Sequence, residues 1–193
     1  MDDHTIINIG RQYGSGGKAI AGEISRRLGI PLYDNELLTK AAEQSGFSPE
    51  LFRKSDEKRR LWILGNSSGL HDGELFRIQS EVIASLSDAG SAIFIGRASN
   101  YVLRERRCLD VFICAPMQER IRRVCSREAV SPEEAEEYIF RKDRARAEYY
   151  NFFTQGHWGK SSDYNLCIDS SLLGIEGTAG LIIDFGRKAG LIK

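Results

Sequence analysis

A glycine-rich segment near the N-terminus constrains the fold of this chain more than any other part of its sequence. Gly14-Ser15-Gly16-Gly17-Lys18 follows a short β-rich run, Thr5–Ile9, and precedes a stretch with helical periodicity that ends at Gly29. The apolar stripe of that predicted helix consists of Ile20, Ile24 and Leu28. Because Ile30–Tyr33 is typical of a second strand, the chain opens with strand, glycine-rich turn, helix and strand, the start of a βαβ unit.

The rest of the chain continues this alternation. Apolar runs predict strands at 92–95, 109–114 and 165–169, and apolar periodicity predicts helices at 74–89, 99–105, 116–127 and 175–185. Ser131-Pro132-Glu133-Glu134 has the composition of a capping box and predicts a helix that reaches about Tyr150. Two short helices are predicted at 36–45 and 49–60, followed by a loop at 66–73. The pattern favours a three-layer α/β fold, with a central parallel sheet and helices on both faces.

Composition and charge narrow the class of function. The 193 residues, 41% of them hydrophobic, suit one globular domain with a sizeable core. Lys plus Arg and Asp plus Glu number 27 each, so no overall field favours nucleic acid or an anionic membrane as a partner. No apolar run has the length of a membrane span, and the acidic start, Met1-Asp2-Asp3-His4, differs from a secretory signal. These features predict a cytoplasmic protein.

The four cysteines and three histidines show no spacing typical of a metal site. Cys114 and Cys167 lie inside apolar, strand-like runs, so we expect both to be buried thiols that pack as small hydrophobic side chains. The sequence therefore predicts reduced, structural cysteines and no metal site built from protein ligands.

The glycine-rich turn has the composition of a phosphate-binding loop. Glycines let backbone N–H groups converge on a phosphate, the following helix adds its N-terminal dipole, and Lys18 adds a positive charge near the terminal phosphates. The segment departs from the string G-x-x-x-x-G-K-[ST], because Gln12 takes the first glycine position and Ala19 replaces the hydroxyl that contacts Mg²⁺. A turn that only makes a tight connection is the alternative. The residues predicted to contact the phosphates are Gln12, Tyr13, Gly14, Ser15, Gly16, Gly17, Lys18 and Ala19.

Charged residues after other strands are candidates for the same site, because ligands of open α/β sheets bind beyond the carboxyl ends of the strands. Asp34 follows the second predicted strand, where it contacts a substrate, caps the next helix, or does both. Arg97 follows the strand 92–95, and its guanidinium suits a phosphoryl oxygen, with a structural ion pair as the alternative. The capped helix carries arginines that either face solvent or stabilise a transferred phosphoryl group, namely Arg141, Arg144 and Arg146.

These segments together resemble the cytidylate-kinase-like proteins, relatives of bacterial cytidylate kinase among the nucleoside monophosphate kinases. The resemblance rests on 6–17, Tyr33-Asp34, 93–97, 111–115, Glu119-Arg120, 141–146 and 164–171, and it covers nearly the whole chain. It implies a P-loop kinase fold in one domain, 1–193, with a small NMP-binding insertion near 36–75 and a lid near 128–162. Ala98 stands where cytidylate kinase has an aspartate that helps to read cytosine, so the acceptor stays open.

The resemblance also implies an activity. The chain would transfer a phosphoryl group from ATP, with Mg²⁺, to a nucleoside monophosphate or a related small molecule, and a homo-oligomer stays open. Asp34 and Arg97 would position the acceptor, and Lys18, Arg97 and the three arginines at 141, 144 and 146 would be catalytic. The alternative is a regulatory protein that binds nucleotides without catalysis, which the missing hydroxyl after Lys18 and the apolar Ile95 favour.

Overall fold

The chain alternates strands and helices in a computed structural model that describes residues 4–36 and 70–193. The strands are β1 Ile6–Arg11, β2 Leu32–Tyr33, β3 Ala92–Ile95, β4 Leu109–Cys114 and β5 Leu166–Asp169. The helices are α1 Gly17–Leu28, α2 Leu70–Ala89, α3 Ser99–Val102, α4 Met117–Glu128, α5 Pro132–Thr154 and α6 Gly174–Lys188, with a short 3₁₀ helix at Ser161–Asp163.

All five strands are parallel and lie in the order β2-β3-β1-β4-β5. The central strand is β1, where Ile9 lies between Ile95 of β3 and Val111 of β4. The chain leaves β1 toward one edge of the sheet and later returns to its other side. Ligands of such sheets bind at this reversal, beyond the carboxyl ends of the strands, which here is the end of β1 at Arg11.

Alternate side chains of β1 pack into two separate cores. Ile7 and Ile9 are fully buried with residues of α1 and α6 on one face of the sheet. Ile6 lies on the other face, where it packs with Phe94 and the buried residues of α2. Each such side chain stabilises the fold by about 1.5–3 kcal/mol when it leaves water. The predicted α/β arrangement, a parallel sheet with helices on both faces, is confirmed.

Most element boundaries agree with the sequence patterns. The strands at 92–95 and 109–114 are confirmed, and so is the capping box: Ser131 Oγ accepts a hydrogen bond from the Glu134 N–H at 3.2 Å, and the Glu134 carboxylate accepts one from the Ser131 N–H at 2.9 Å. The predicted loop at 66–73 was wrong for 70–73, which belong to α2. Extending a helix by one turn needs no new nucleus, so Gly73 is tolerated there. The helix predicted at 99–105 ends at Val102.

The predicted helices at 36–45 and 49–60, and most of the predicted insertion, lie outside the described residues. Burial of the cysteines was predicted wrongly for Cys167, which is exposed because β5 is an edge strand, and Cys114 is only partly buried. Among the described residues, the helices do not include one that combines the length and the apolar character needed to cross a bilayer.

Candidate functional site

The glycine-rich loop connects β1 to α1 through a backbone that only glycine adopts easily. Gly14 and Gly16 have φ angles of 78° and 80°, in the left-handed region. A Cβ at Gly14 would lie 3.0 Å from Arg120 Cβ, and a Cβ at Gly16 would lie 2.7 Å from Ile175 Cδ1. Gly16 is the N-cap of α1, whose first N–H groups have no partner inside the helix. The loop therefore presents backbone donors and a helix dipole beyond the sheet.

Two charged residues hold the first half of this loop. The Tyr13 N–H donates to Asp143 Oδ1 at 2.7 Å, and Arg120 Nε donates to the Tyr13 carbonyl at 2.7 Å. Arg120 and Asp143 also form an ion pair with each other, and the Arg120 side chain is only 5% exposed. A buried ion pair of this kind fixes both partners, because each would be costly to bury alone.

Serines hold the second half of the loop. Ser15 Oγ donates to the Gln12 carbonyl at 2.8 Å, and Ser170 Oγ donates to the Ser15 carbonyl at 2.5 Å. Arg123 Nη1 in turn donates to Ser170 Oγ at 2.9 Å. The start of the segment that joins β5 to α6 thus lies against the loop, and the Ser15 hydroxyl serves the loop backbone.

Gln12 and Tyr13, both predicted to contact phosphates, direct their side chains to the protein. Gln12 Oε1 accepts a hydrogen bond from the Ala115 N–H at 3.2 Å, which ties the loop to the end of β4. The Tyr13 ring packs edge-on against the Tyr138 ring, with the two ring centroids 5.2 Å apart. Burial raises the pKa of the Tyr13 hydroxyl to about 12. Their backbones remain part of the loop.

Lys18 and Asp34 bind each other at the start of α1. Lys18 Nζ lies 2.8 Å from Asp34 Oδ2, and the lysine side chain is 74% exposed. The hydrogen bond from Lys18 to Asp34 and the charge of this carboxylate raise the pKa of the lysine. Asp34 Oδ1 also accepts a hydrogen bond from the Glu36 N–H at 3.1 Å, so this aspartate caps the next helical turn as well. Ala19 follows on the exposed side of α1.

Three arginines meet beyond the carboxyl end of β1. Arg146 Nη1 donates to the Arg11 carbonyl at 3.2 Å, and the Arg97 guanidinium lies over the Tyr149 ring, 5.1 Å from its centroid. Burial, and then the positive charges of Arg146 and Arg97, lower the pKa of Arg11 to about 9. Burial likewise lowers the pKa of Arg146. Such a concentration of positive charge suits an anionic ligand.

Helix α5 separates the arginines that the sequence grouped together. Asp143 and Arg146 share one face with the buried Ile139 and Tyr150, at spacings of three and four residues. Arg141 and Arg144 lie elsewhere on the helix. The Arg141 guanidinium is 5.0 Å from the Tyr138 ring centroid, and Arg144 Nε is bound by Glu148 Oε1 at 2.8 Å with a side chain 81% exposed. Only Arg146 of the three reaches the loop.

Sequence reasoning did not select four residues of this site: Arg11, Arg120, Asp143 and Ser170. The spacing of Asp143 and Arg146 relative to Ile139 marks the inner face of α5 and would have separated them from Arg144. Arg11 lies at the end of the first strand, and Arg97 lies just after the third. The same rule that selected Arg97, a charged residue at the carboxyl end of a strand, would therefore have selected Arg11. Arg120 and Ser170 reach the loop by tertiary contacts over distances of 107 and 155 residues along the chain.

Comparisons with known proteins show what this chain is similar to. Two curated relatives are cytidylate kinases: that of Pyrobaculum calidifontis is 23% identical over 181 residues, covering 93% of this chain and 91% of its own. That of Methanobrevibacter smithii is 29% identical over 179 residues, which cover 92% of this chain and 96% of the relative. A solved structure of an uncharacterised protein from Eubacterium ventriosum superposes with a TM-score of 0.76 at 25% identity. The superposition covers 93% of this chain and 96% of that one.

A shikimate kinase from Acinetobacter baumannii shares the fold, with a TM-score of 0.55 at 14% identity. The superposition covers 97% of this chain and 96% of the shikimate kinase. The predicted P-loop kinase fold is therefore confirmed by its structural neighbours. Residues 6–172 match the Cytidylate kinase-like family. Since that match spans most of the 193 residues, this chain belongs to the Cytidylate kinase-like family.

Proposed function

We propose that this protein is a kinase that transfers the γ-phosphoryl group of ATP to a nucleoside monophosphate. The observation that carries the proposal is the loop itself: two left-handed glycines and the start of α1 face a cluster of arginines beyond the central strand. Family membership and curated relatives that are cytidylate kinases support the same reaction class.

The donor phosphates bind to the loop. Backbone N–H groups of Gly14, Gly16 and Gly17 and the dipole of α1 attract them. Ile175, near the start of α6, packs against Gly16. Leu172 and Leu173, directly before α6, are 82% and 48% exposed. Exposed leucines beside a polar loop form an apolar surface that suits the flat face of a nucleotide base.

The acceptor phosphate binds near Arg97, and Arg146 is the arginine of α5 that contacts the end of β1. A monophosphate is mostly a dianion at neutral pH, because its second pKa is about 6, so its oxygen attacks without a general base. That oxygen forms a bond to the γ-phosphorus as the bond to the β,γ-bridging oxygen breaks, and ADP leaves. The arginines stabilise the charge that develops on the transferred group. A catalytic role for Arg144 requires this side chain to leave Glu148 and turn toward the loop. Arg141 lies over the Tyr138 ring, which packs against Tyr13 of the loop.

Mg²⁺ would be held in this site mainly by the phosphates of ATP. Among the described residues, no three histidine, cysteine, aspartate or glutamate side chains form a metal cluster, and Ala19 lacks a hydroxyl. Mg²⁺ usually keeps several waters and needs one or two carboxylates besides the substrate phosphates. Asp34, bound to Lys18 at the start of α1, is the carboxylate that fits this role. The ion would neutralise charge on the phosphates during transfer.

A panel of ribo- and deoxyribonucleoside monophosphates, each with ATP and Mg²⁺, tests the proposal. We expect turnover with at least one of them, and a kcat about a hundredfold lower for Arg146→Met. Arg122→Met is the matched control, because Arg122 is an exposed arginine of α4 that pairs with Glu119. ATP binding without turnover on any acceptor would contradict the proposal and support the regulatory alternative.

A further inference from the structure

We propose that the guanidinium of Arg11, and not the ammonium of Lys18, supplies the positive charge that contacts the donor phosphates in this loop. The inference rests on the proposed function and names the group that binds the phosphates. It comes from the contact between Arg11 and Gly17, and from the direct ion pair that Lys18, unlike Arg11, makes with Asp34.

Arg11 and Gly17 occupy each other's expected positions in the loop. Gly16, the left-handed N-cap of α1, matches the last glycine of G-x-x-x-x-G-K, since it comes directly before the first helical residue. Counted from Gly16, the lysine position of the string falls on Gly17 and its first glycine position falls on Arg11. The glycine and the cation have therefore exchanged places relative to the string.

The side chain of Arg11 fills the space that a side chain at 17 would need. A Cβ at Gly17 would lie 2.7 Å from Arg11 Cβ and 2.9 Å from Arg11 Cγ, distances that real Cβ atoms do not adopt. The arginine stem thus crosses the start of α1, and its Nη1 occupies the place where a Cβ at Gly96 would lie. Gly17 and Gly96 both leave room for Arg11, which places its guanidinium between the ends of β1 and β3.

Lys18 is engaged elsewhere. Its ammonium is bound by Asp34 at 2.8 Å, and 74% of its side chain faces solvent. One residue further along a helix rotates a side chain by about 100°, so the lysine at 18 leaves the direction that a residue at 17 takes. The ammonium of Lys18 is therefore held by Asp34 on the exposed side of α1.

Arg11 has the surroundings of an anion ligand. Within the described part of the chain, no carboxylate oxygen lies within 4.0 Å of its guanidinium, and Arg97 also lacks such a partner there. Burial and then the charges of Arg146 and Arg97 lower the pKa of Arg11 to about 9, although the carboxylates of Asp34 and Asp143 act in the opposite direction. A phosphate group at this position would relieve the repulsion among Arg11, Arg97 and Arg146.

Binding of inorganic pyrophosphate and of ATP to the full-length protein tests the inference by calorimetry. We expect Arg11→Met to weaken both by about tenfold or more, the size of a lost hydrogen bond to a charged group. Lys18→Met should change both affinities by less than about threefold. Arg26→Met, which removes an exposed arginine of α1 paired with Glu23, is the control for a lost charge. A large loss for Lys18→Met with an unchanged Arg11→Met would overturn the inference.

A paired exchange keeps the test valid if Arg11→Met folds poorly. Arg11→Gly combined with Gly17→Lys removes the stem that blocks position 17 and places a lysine there. We expect this double variant to bind pyrophosphate at least several-fold more tightly than Arg11→Gly alone. Equal affinity of the two folded variants, both as tight as the wild type, would overturn the inference.

The two proposals fail in different ways. Pyrophosphate binding that depends on Arg11, without phosphoryl transfer to any monophosphate, supports the role of Arg11 and contradicts the kinase proposal. Turnover that persists unchanged in a folded Arg11→Met variant supports the kinase proposal and contradicts the role of Arg11.

Discussion

Two glycines of α1, Gly17 and Gly22, have opposite surroundings. A Cβ at Gly17 would meet the stem of Arg11, whereas a Cβ at Gly22 would have no atom within 4 Å. Neither position has a left-handed φ angle, so the effect of a methyl group depends on space alone. Gly17 is thus kept for the close approach of another side chain, and Gly22 costs the helix stability without serving a contact.

We predict that Gly17→Ala lowers the free energy of unfolding by about 1–3 kcal/mol, as expected for overpacking. It should also weaken ATP binding, because the methyl group displaces Arg11. Gly22→Ala should stabilise the protein by about 0.5–1 kcal/mol, since alanine is the better helix former, and should leave ATP affinity unchanged. Urea denaturation and ATP titration of both variants measure this. Equal effects of the two substitutions would contradict the contact between position 17 and Arg11.

At the scale of the element, α5 acts as a two-sided support for the loop. Its inner face carries Asp143, which binds both the Tyr13 N–H and Arg120. Its outer face carries Arg144 and Glu148, which pair in solvent. The capping box at Ser131 fixes where the helix starts and therefore which residues reach each face.

We predict that Asp143→Asn lowers the free energy of unfolding by about 3 kcal/mol, because it leaves the Arg120 charge buried without a counter-charge. The same variant should weaken ATP binding, since Arg120 also holds the Tyr13 carbonyl. Glu148→Gln, on the outer face of the same helix, is the control and should match the wild type in both measurements. Wild-type stability of Asp143→Asn would show that the ion pair does not hold the loop.

At the scale of the whole molecule, positive and negative side chains are equal in number but unevenly distributed in the structure. Positive and negative side chains number 27 each, yet Arg11, Arg97 and Arg146 converge at the end of the central strand. Their mutual repulsion is a cost to the unliganded fold, which Asp143, 3.7 Å from Arg146, offsets in part. An anion that binds there should therefore stabilise the entire domain.

We predict that ATP at a hundred times its dissociation constant raises the free energy of unfolding by about 2.7 kcal/mol. Thermal or urea denaturation with and without ATP measures the change. Arg26→Met should show the same shift as the wild type, whereas Arg11→Met should show a smaller one at the same ATP concentration. The absence of a shift in the wild type would contradict nucleotide binding at the loop.

Local sequence patterns predicted much of the fold because they depend on neighbours along the chain. Apolar runs located β3 and β4 to the residue, and the serine, proline and glutamates at 131–134 located the start of α5. The predictions were wrong where tertiary packing decides burial or helix length. Cys167 lies in an apolar run typical of a buried strand, but that strand is at the edge of the sheet and the cysteine is exposed. Residues 70–73, predicted as a loop, belong to a helix that continues through Gly73.

The sequence alone determined that a glycine-rich turn joins the first strand to a helix, because glycines at 14 and 16 and a helix start are local features. The tertiary structure decided which charges meet that loop. Arg11 lies against Gly17 and Gly96, Arg146 turns inward while Arg144 turns outward, and Lys18 is bound by Asp34. These contacts join residues far apart in the chain, and their outcome depends on how strands and helices pack, which local composition does not specify.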